Sequence, residues 1–432
     1  MQTHTPKGQI LTSAGIWLLW LMTSAGALAQ APQIAPAVKI DLDQAIQLAL
    51  AHNHALKAAQ TQIEQSQADE ITANIRPNPV FTYDNLFVPI FSPDQFNTYT
   101  LNNVTEFDAA ISYTFERGHK RQARVRAARD QTLVTQSQVM DAERSLTFNV
   151  AQQFVGVLLA KSNLEFAQQN LKSFEQTVNL SAERYRAGAI SEGDLLKIKL
   201  QTLQFQTDVS AARLALVQSL ASLRQLLGFE SVPANYDVIG ELAYAPLHLN
   251  QEDLQSMALK DRPDLIAAQR SITAAESQYN LAKANGKRDL TTTFFYTHVA
   301  AVNTAGFLAN IEIPIFDRNQ GEIARTRYAW TQSQESERSA SEQVLTDVAN
   351  VYQGLKTSEQ VVELYTSGYL KQARESRDIS EYAYKRGAVS LLDFLDAERS
   401  YRATQFGYRQ ALANYMVSLE QLKLAVGTRN LP

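Results

Sequence analysis

Two hydrophobic spacings alternate along this chain, and each occurs twice. Near the start, Leu42, Ala49, Leu56 and Ile63 fall seven residues apart, and Ala258, Leu265, Ile272 and Tyr279 repeat that spacing later. Sevens predict helices lying side by side in a coiled-coil-like seam. Asp41, followed three residues on by Gln44, reads as a capping box at the first helix start. Further along each half the spacing drops to two. Phe107, Ala109, Ile111, Tyr113 and Phe115 share one face of an extended chain, and Asp108, Ala110, Ser112 and Thr114 share the other. Phe307, Ala309, Ile311, Ile313 and Ile315 alternate in the same way with Asn310 and Glu312. Both stretches predict strands with one oily and one wet face. Matching Phe115 to Phe316 would reverse the faces, so one copy carries an extra residue that a bulge could absorb. Two more strands are predicted over residues 80–88 and 290–299.

After the second strand of each half the pattern turns helical for a long way. From Lys120 to Arg186 there is no proline, and the only internal glycine is Gly156. At 1.5 Å per residue this is roughly 100 Å of helix, which must lie against other helices. In the second half Val344, Val348, Val351, Leu355, Val362 and Tyr365 recur at three, four or seven, as a buried stripe should. Each long helix ends in nearly the same words, "YRAGAISEGDLL" from Tyr185 and "YKRGAVSLLDFL" from Tyr384. Gly188 and Gly387 suit the left-handed turn at a helix end. Ser191 and Ser390 suit the next N-cap, with Asp194 and Asp393 three residues on. Each half therefore reads helix, strand, strand, long helix, helix. The expected layout is a first repeat over 30–228, a linker over 229–249 with two prolines, and a second repeat over 250–432. Residues 91–103 read as an exposed loop.

Composition narrows the function. Cysteine is absent from the 432 residues, which removes disulfides, thiolate metal sites, thiol catalysis and any lipid anchor on a cysteine. A formal charge of −4 argues against a nucleic-acid partner. No nucleophile–histidine–acid grouping is evident, so no enzyme activity and no cofactor are expected. Lys7, the apolar run 16–22 and Ala27-Leu28-Ala29 read as an export signal over 1–29, with cleavage before Gln30. Of the six histidines, His52 and His54 look like a ligand pair, but residues two apart on a helix point to different sides, so no metal site is expected. The basic run Arg117, His119, Lys120, Arg121, Arg124 and Arg126 follows a strand; it reads as a solvated collar, with lipid headgroup contact as the alternative.

Four strands of about ten residues fit the length of membrane-spanning β-strands. Four cannot close, and an open edge cannot stand in lipid. Several protomers would have to share one barrel. The rival is a periplasmic coiled-coil scaffold or adaptor that never enters the membrane. The doubled helix–strand–strand–helix pattern and the two Gly-Ala-[Ile/Val]-Ser-x-x-Asp turns resemble the TolC-type outer-membrane efflux family. Within it, "FERGHKRQARVRAA" and "IPIFDRNQGEIARTR" resemble the heavy-metal, cobalt-zinc-cadmium resistance subgroup, the segment Phe316, Asp317, Arg318, Asn319, Gln320 and Gly321 being the more specific.

The resemblance implies a mainly α fold with a small β part: two tandem repeats, long coiled-coil hairpins and four transmembrane strands per protomer. It implies a homotrimer with a twelve-strand barrel in outer-membrane lipid and an α-barrel crossing the periplasm. The partners it implies are an adaptor protein and an inner-membrane RND-type pump, with heavy-metal cations, or alternatively drugs, as cargo. Carried over residue by residue, Asp393 and Asp396 ring the periplasmic mouth as a gate, and Tyr384 with Asp194 latches it. Asp396 follows Asp393 by three, on one helical face, while the first repeat has Lys197 at the matching position.

Overall fold

The computed structural model describes residues 38–431; the predicted export signal lies outside the described residues. Numbered in chain order, the elements are β1 (Lys39–Ile40), α1 (Leu42–His52), α2 (His54–Asn74), β2 (Val80–Leu86), α3 (Thr98–Asn103), β3 (Glu106–Phe115), α4 (Lys120–Arg186), α5 (Glu192–Leu227), β4 (Asp237–Val238), α6 (Gln251–Asp261), α7 (Pro263–Asn285), β5 (Leu290–Val299), β6 (Val302–Ile311), α8 (Gln320–Leu364), a π-helical turn (Tyr365–Tyr369), α9 (Leu370–Arg386) and α10 (Leu391–Val426). The predicted long helix is α4, 67 residues without interruption. Its counterpart, Gln320 to Arg386, has the same length but is broken by the π turn, where Gly368 adopts φ 150°, ψ −22°. Residues with a Cβ adopt that conformation only under strain. The extra residue of a π turn shifts the helix phase, so the inward stripe passes from Val362 and Tyr365 to Leu370 and Ala373. Tyr365 lies across Gly407 of α10, where an added Cβ would sit 2.3 Å from the tyrosine oxygen.

Both upstream helices are bent, a feature the sevens conceal. Asn53 ends α1 and caps α2: its side chain accepts the Leu56 N–H at 3.0 Å and donates to the Leu226 carbonyl at 2.9 Å. Arg262, followed by Pro263, holds the same place between α6 and α7. Each bend docks on the end of a return helix through a left-handed glycine. An added Cβ at Gly228 would meet the His52 carbonyl at 2.9 Å, and one at Gly427 would meet the Arg262 backbone at 3.1 Å. His52 and His54 thus flank a break, both exposed. The Asp41–Gln44 capping box is present. Apolar clusters form around each bend, one on Leu146, Val150, Phe154, Leu223 and Leu227, the other on Val344, Val348, Leu355, Leu412 and Leu422. The linker is pinned between them: β1 pairs with β4 in parallel, Lys161 binds Asp237 at 2.7 Å, and the Tyr352 hydroxyl donates to the Leu249 carbonyl at 3.0 Å.

The four longer strands form one antiparallel sheet in the order β2-β3-β5-β6. The register sets Phe81, Ile111, Phe294 and Phe307 in one row and Tyr83, Ala109, Tyr296 and Ala305 in another row of the same face. The opposite face carries rows such as Asp84, Asp108, Thr297 and Thr304. One face is oily and exposed and the other largely polar, as the alternation predicts.

The fourth strand departs from the prediction. It runs Val302–Ile311, because the β5–β6 hairpin closes on Ala300 and Ala301, both at positive φ. Ile313 and Ile315 lie beyond it, next to Pro314, which has no N–H to extend the ladder. No bulge occurs in the ladders of this sheet, whose pairing is continuous. The mismatch between Phe115 and Phe316 is absorbed outside the sheet, where the second repeat has the longer passage from strand to helix. The predicted loop 91–103 is partly helical, with α3 capped by Asn97. No helix of the described residues is long and apolar enough to cross a membrane.

Candidate functional site

The two hairpin tips are built alike. Gly188 and Gly387 take φ +72° and +75°. Around each, the next residue's N–H reaches back five positions, Ala189 to Arg184 and Ala388 to Ala383, closing the helix end. Ser191 then accepts the Asp194 N–H at 3.1 Å, and Ser390 accepts the Asp393 N–H at 3.2 Å. At the second tip the box is complete: the Asp393 carboxylate takes the Ser390 hydroxyl at 2.7 Å and its N–H at 3.2 Å. Asp393 is therefore a working cap and still exposed. Asp396, one turn on, is exposed and pairs with Arg399 at 2.6 Å. An ion pair of that exposure holds little energy, which leaves the carboxylate free to face a neighbour or a passing cation. Lys197 instead pairs with Asp194, at 3.9 Å.

Tyr384 and Asp194 are not brought together. Asp194 stays with Ser191 and Lys197 on its own helix. Tyr384 is buried; its hydroxyl lies 3.3 Å from Ser181, its carbonyl accepts from Arg184 at 2.7 Å, and the Arg184 guanidinium sits 5.3 Å from its ring centre. The tie between the hairpins runs through Ser181 and Arg184 of α4, residues that the repeat gave no reason to single out. Beside it, four rings from four helices stack nearly parallel. Phe205 (α5) lies on Phe174 (α4) at 4.5 Å, Phe174 near Phe394 (α10) at 6.4 Å, and Phe394 on Tyr384 (α9) at 5.4 Å. The repeated tyrosine, Tyr185, is by contrast 39% exposed. Duplication supplied the motif, and packing differentiated the two copies.

The segment Phe316 to Gly321 is a junction turn from sheet to helix. Asn319 takes φ +61° and its side chain donates to the Ala282 carbonyl at 2.8 Å; the Asp317 carboxylate accepts the Asn319 N–H at 2.8 Å. The Arg318 and Gln320 side chains bond back to the Pro314 and Phe316 carbonyls, Gly321 has open space around it, and Phe316 projects outward. At the matching junction the basic run is largely consumed internally. Lys120 binds Asp289 at 2.8 Å, Arg124 binds Glu116 and the Ala73 and Ile75 carbonyls, and Arg121 binds Asn74. The collar is a joint that fixes strand direction to helix direction.

A two-faced sheet set on coiled-coil hairpins that end in carboxylate-bearing tips defines an outer-membrane channel with a periplasmic helical part. The sequence profile of the outer membrane efflux protein family matches residues 45–229 and 254–428, one stretch per repeat, and the chain belongs to that family. It is a family of passive conduits of the outer membrane, not of enzymes. The probable outer membrane lipoprotein SilC of Salmonella typhimurium is 27% identical over 273 residues, 60% of this chain and 58% of that protein. The cobalt-zinc-cadmium resistance protein CzcC of Cupriavidus metallidurans is 23% identical over 84% of each chain. The pyoverdine export outer membrane protein OpmQ of Pseudomonas putida is 24% identical over 90% of this chain and 86% of that one. The solved structure of CusC shares the fold, with a TM-score of 0.73 and 20% identity over 91% of this chain and 94% of that one.

Proposed function

We propose that three copies of this chain complete a twelve-strand barrel and a periplasmic helical tunnel. In this reading the tunnel is the exit duct of a tripartite pump for heavy-metal cations. The observation that carries the reading is the sheet itself. It has an oily face, a polar face and two outer strands, β2 and β6, each paired on one side only. In lipid such edges must be paired, and identical neighbours supply the partner. Three second-repeat tips would bring three copies each of Asp393 and Asp396 around one axis. Like charges at close range repel and attract cations, which suits a mouth that passes cations and stays narrow until an adaptor and an inner-membrane RND-type pump engage it. The metal-resistance relatives favour metal cargo; the pyoverdine exporter favours an organic one. Deletion of the gene followed by growth on zinc, cobalt, cadmium, nickel, copper and organic toxins separates the two. Metal sensitivity restored by the wild-type gene is expected, and sensitivity to organic compounds alone would overturn the metal assignment.

A further inference from the structure

Above the second tip, α5 and α10 are bridged by an ion pair between Arg402 and Asp208, both largely buried. The Arg402 guanidinium lies 4.3 Å from the Phe205 ring centre, at the end of the aromatic stack. Four residues before Arg402 on the same helix is Glu398. It is 8% exposed and makes no hydrogen bond or ion pair among the described residues. The buried Arg402 Nε likewise lacks a hydrogen-bond partner. From α9, Arg377, Asp378 and Glu381 complete the surrounding charges; Arg377 lies 2.9 Å from Asp378 and 3.6 Å from Glu381, and its Nε, like that of Arg402, makes no hydrogen bond. Burial pushes the Glu398 carboxyl up from its ordinary range, against the pull of Arg377 and Arg402. A carboxylate on a side chain this buried gains from a partner, and here a guanidinium stands one helical turn away. A glutamate four residues before an arginine is the favourable order for a pair on one helix.

We propose that Arg402 is an exchangeable clasp. It holds Asp208 while the hairpins are together, and it moves to Glu398 when α5 and α10 part. Glu398 is thus the reserve partner that keeps a separated Arg402 from being left unpaired. A groove of 470 Å³ between the two helices, lined by Asp208, Glu398, Arg402 and Phe406 among others, gives the side chain room to swing. The first repeat has Leu203 and Lys199 at the positions of Arg402 and Glu398, so the device belongs to the second hairpin only. The clasp rests on the gate reading in one respect, that parting of the hairpins is opening. A ligand can shift such an equilibrium only if the two states lie close in free energy, and a reserve partner brings them closer.

The test uses the full-length purified channel in planar bilayers, with D208N, E398Q and the double variant, and D393N/D396N as the gate control. D208N should raise the open-to-closed ratio on the order of tenfold, as loss of one partly buried pair would. E398Q should lower the ratio below wild type, and the double variant should fall between the two. Because the chain has no cysteine, spin labels can be placed at exposed Lys199 and Ser400 to read the α5–α10 separation without conduction. E398Q should narrow that distribution toward the short distance and D208N should widen it. An E398Q channel that matches wild type in both readouts, in both backgrounds, overturns the clasp even if D393N/D396N still alters cation selectivity. Label distances that move while D393N/D396N changes nothing would leave the clasp standing and remove the gate.

Discussion

Replacing Gly368 by alanine isolates the π turn. The new Cβ would have open space around it, with only the Gln372 amide nitrogen near, at 3.7 Å. The substitution therefore adds no clash and removes no contact. What it does is place a Cβ on a residue at φ 150°, a strain of about 1–3 kcal/mol. The chain could escape by straightening into α-helix, but deleting the extra residue would rotate the 17 residues of α9 by roughly 100° against α10. Tyr384 would then leave its place between Phe394 and Arg184, so the strained turn should persist. With an unfolding entropy near 2 cal/mol/K per residue, the expected drop in Tm is roughly 1–4 °C. Gly354 in α8 and Gly156 in α4 provide the controls. Each is helical with nothing within 4 Å of an added Cβ, so alanine there should stabilise by up to about 1 kcal/mol. Thermal unfolding of the detergent-solubilised protein, followed by far-ultraviolet circular dichroism, reads all three. Gly368→Ala shifting Tm upward with the controls would refute the idea that the turn is built on a glycine-only conformation.

Two further outcomes follow from the same geometry. Burial works against the charge of Asp264, but the hydrogen bond from Arg262 and the charge of Arg144 outweigh it and hold the carboxyl below its ordinary 3.8. Its contribution is therefore full above the ordinary carboxylate pKa and is lost as pH falls through the lower folded value. The stability gap between wild type and D264N should be largest near neutrality and close in acid, and a gap that widens in acid would contradict the pairing with buried Arg262. At the tip, Tyr384→Phe removes only the hydroxyl contact with Ser181, about 1 kcal/mol, and should leave channel leak unchanged. Arg184→Ala cuts the tie to the Tyr384 carbonyl and should raise leak; the reverse order in bilayer recordings would instead support Tyr384 as the latch.

Much of this architecture was legible because it is periodic. The helix Lys120–Arg186 could be read end to end from the absence of proline and one glycine, and both tips from their glycine and serine spacing. Strand faces followed from alternation, since a period of two leaves no freedom in which side chains share a row. What failed was local punctuation. Asn53 breaks a helix across which the sevens run unbroken, because its side chain can cap a new helix and reach the Leu226 carbonyl at once. The π turn left one sign, the step of five from Tyr365 to Leu370 in the buried stripe. The aromatic stack and the Arg402–Asp208 bridge join residues of different helices far apart in the chain, and no spacing rule reaches them. The pairing of Tyr384 with Asp194 came from the family resemblance; within the single chain Tyr384 lies against Ser181 and Asp194 stays on its cap.

The central claim is that one chain supplies four strands of a wall that its neighbours finish. The mass of the purified particle in detergent tests this most directly. Three chains per particle, aggregating when detergent is withdrawn, is the predicted result. A single chain that stays monodisperse in plain buffer would contradict the account.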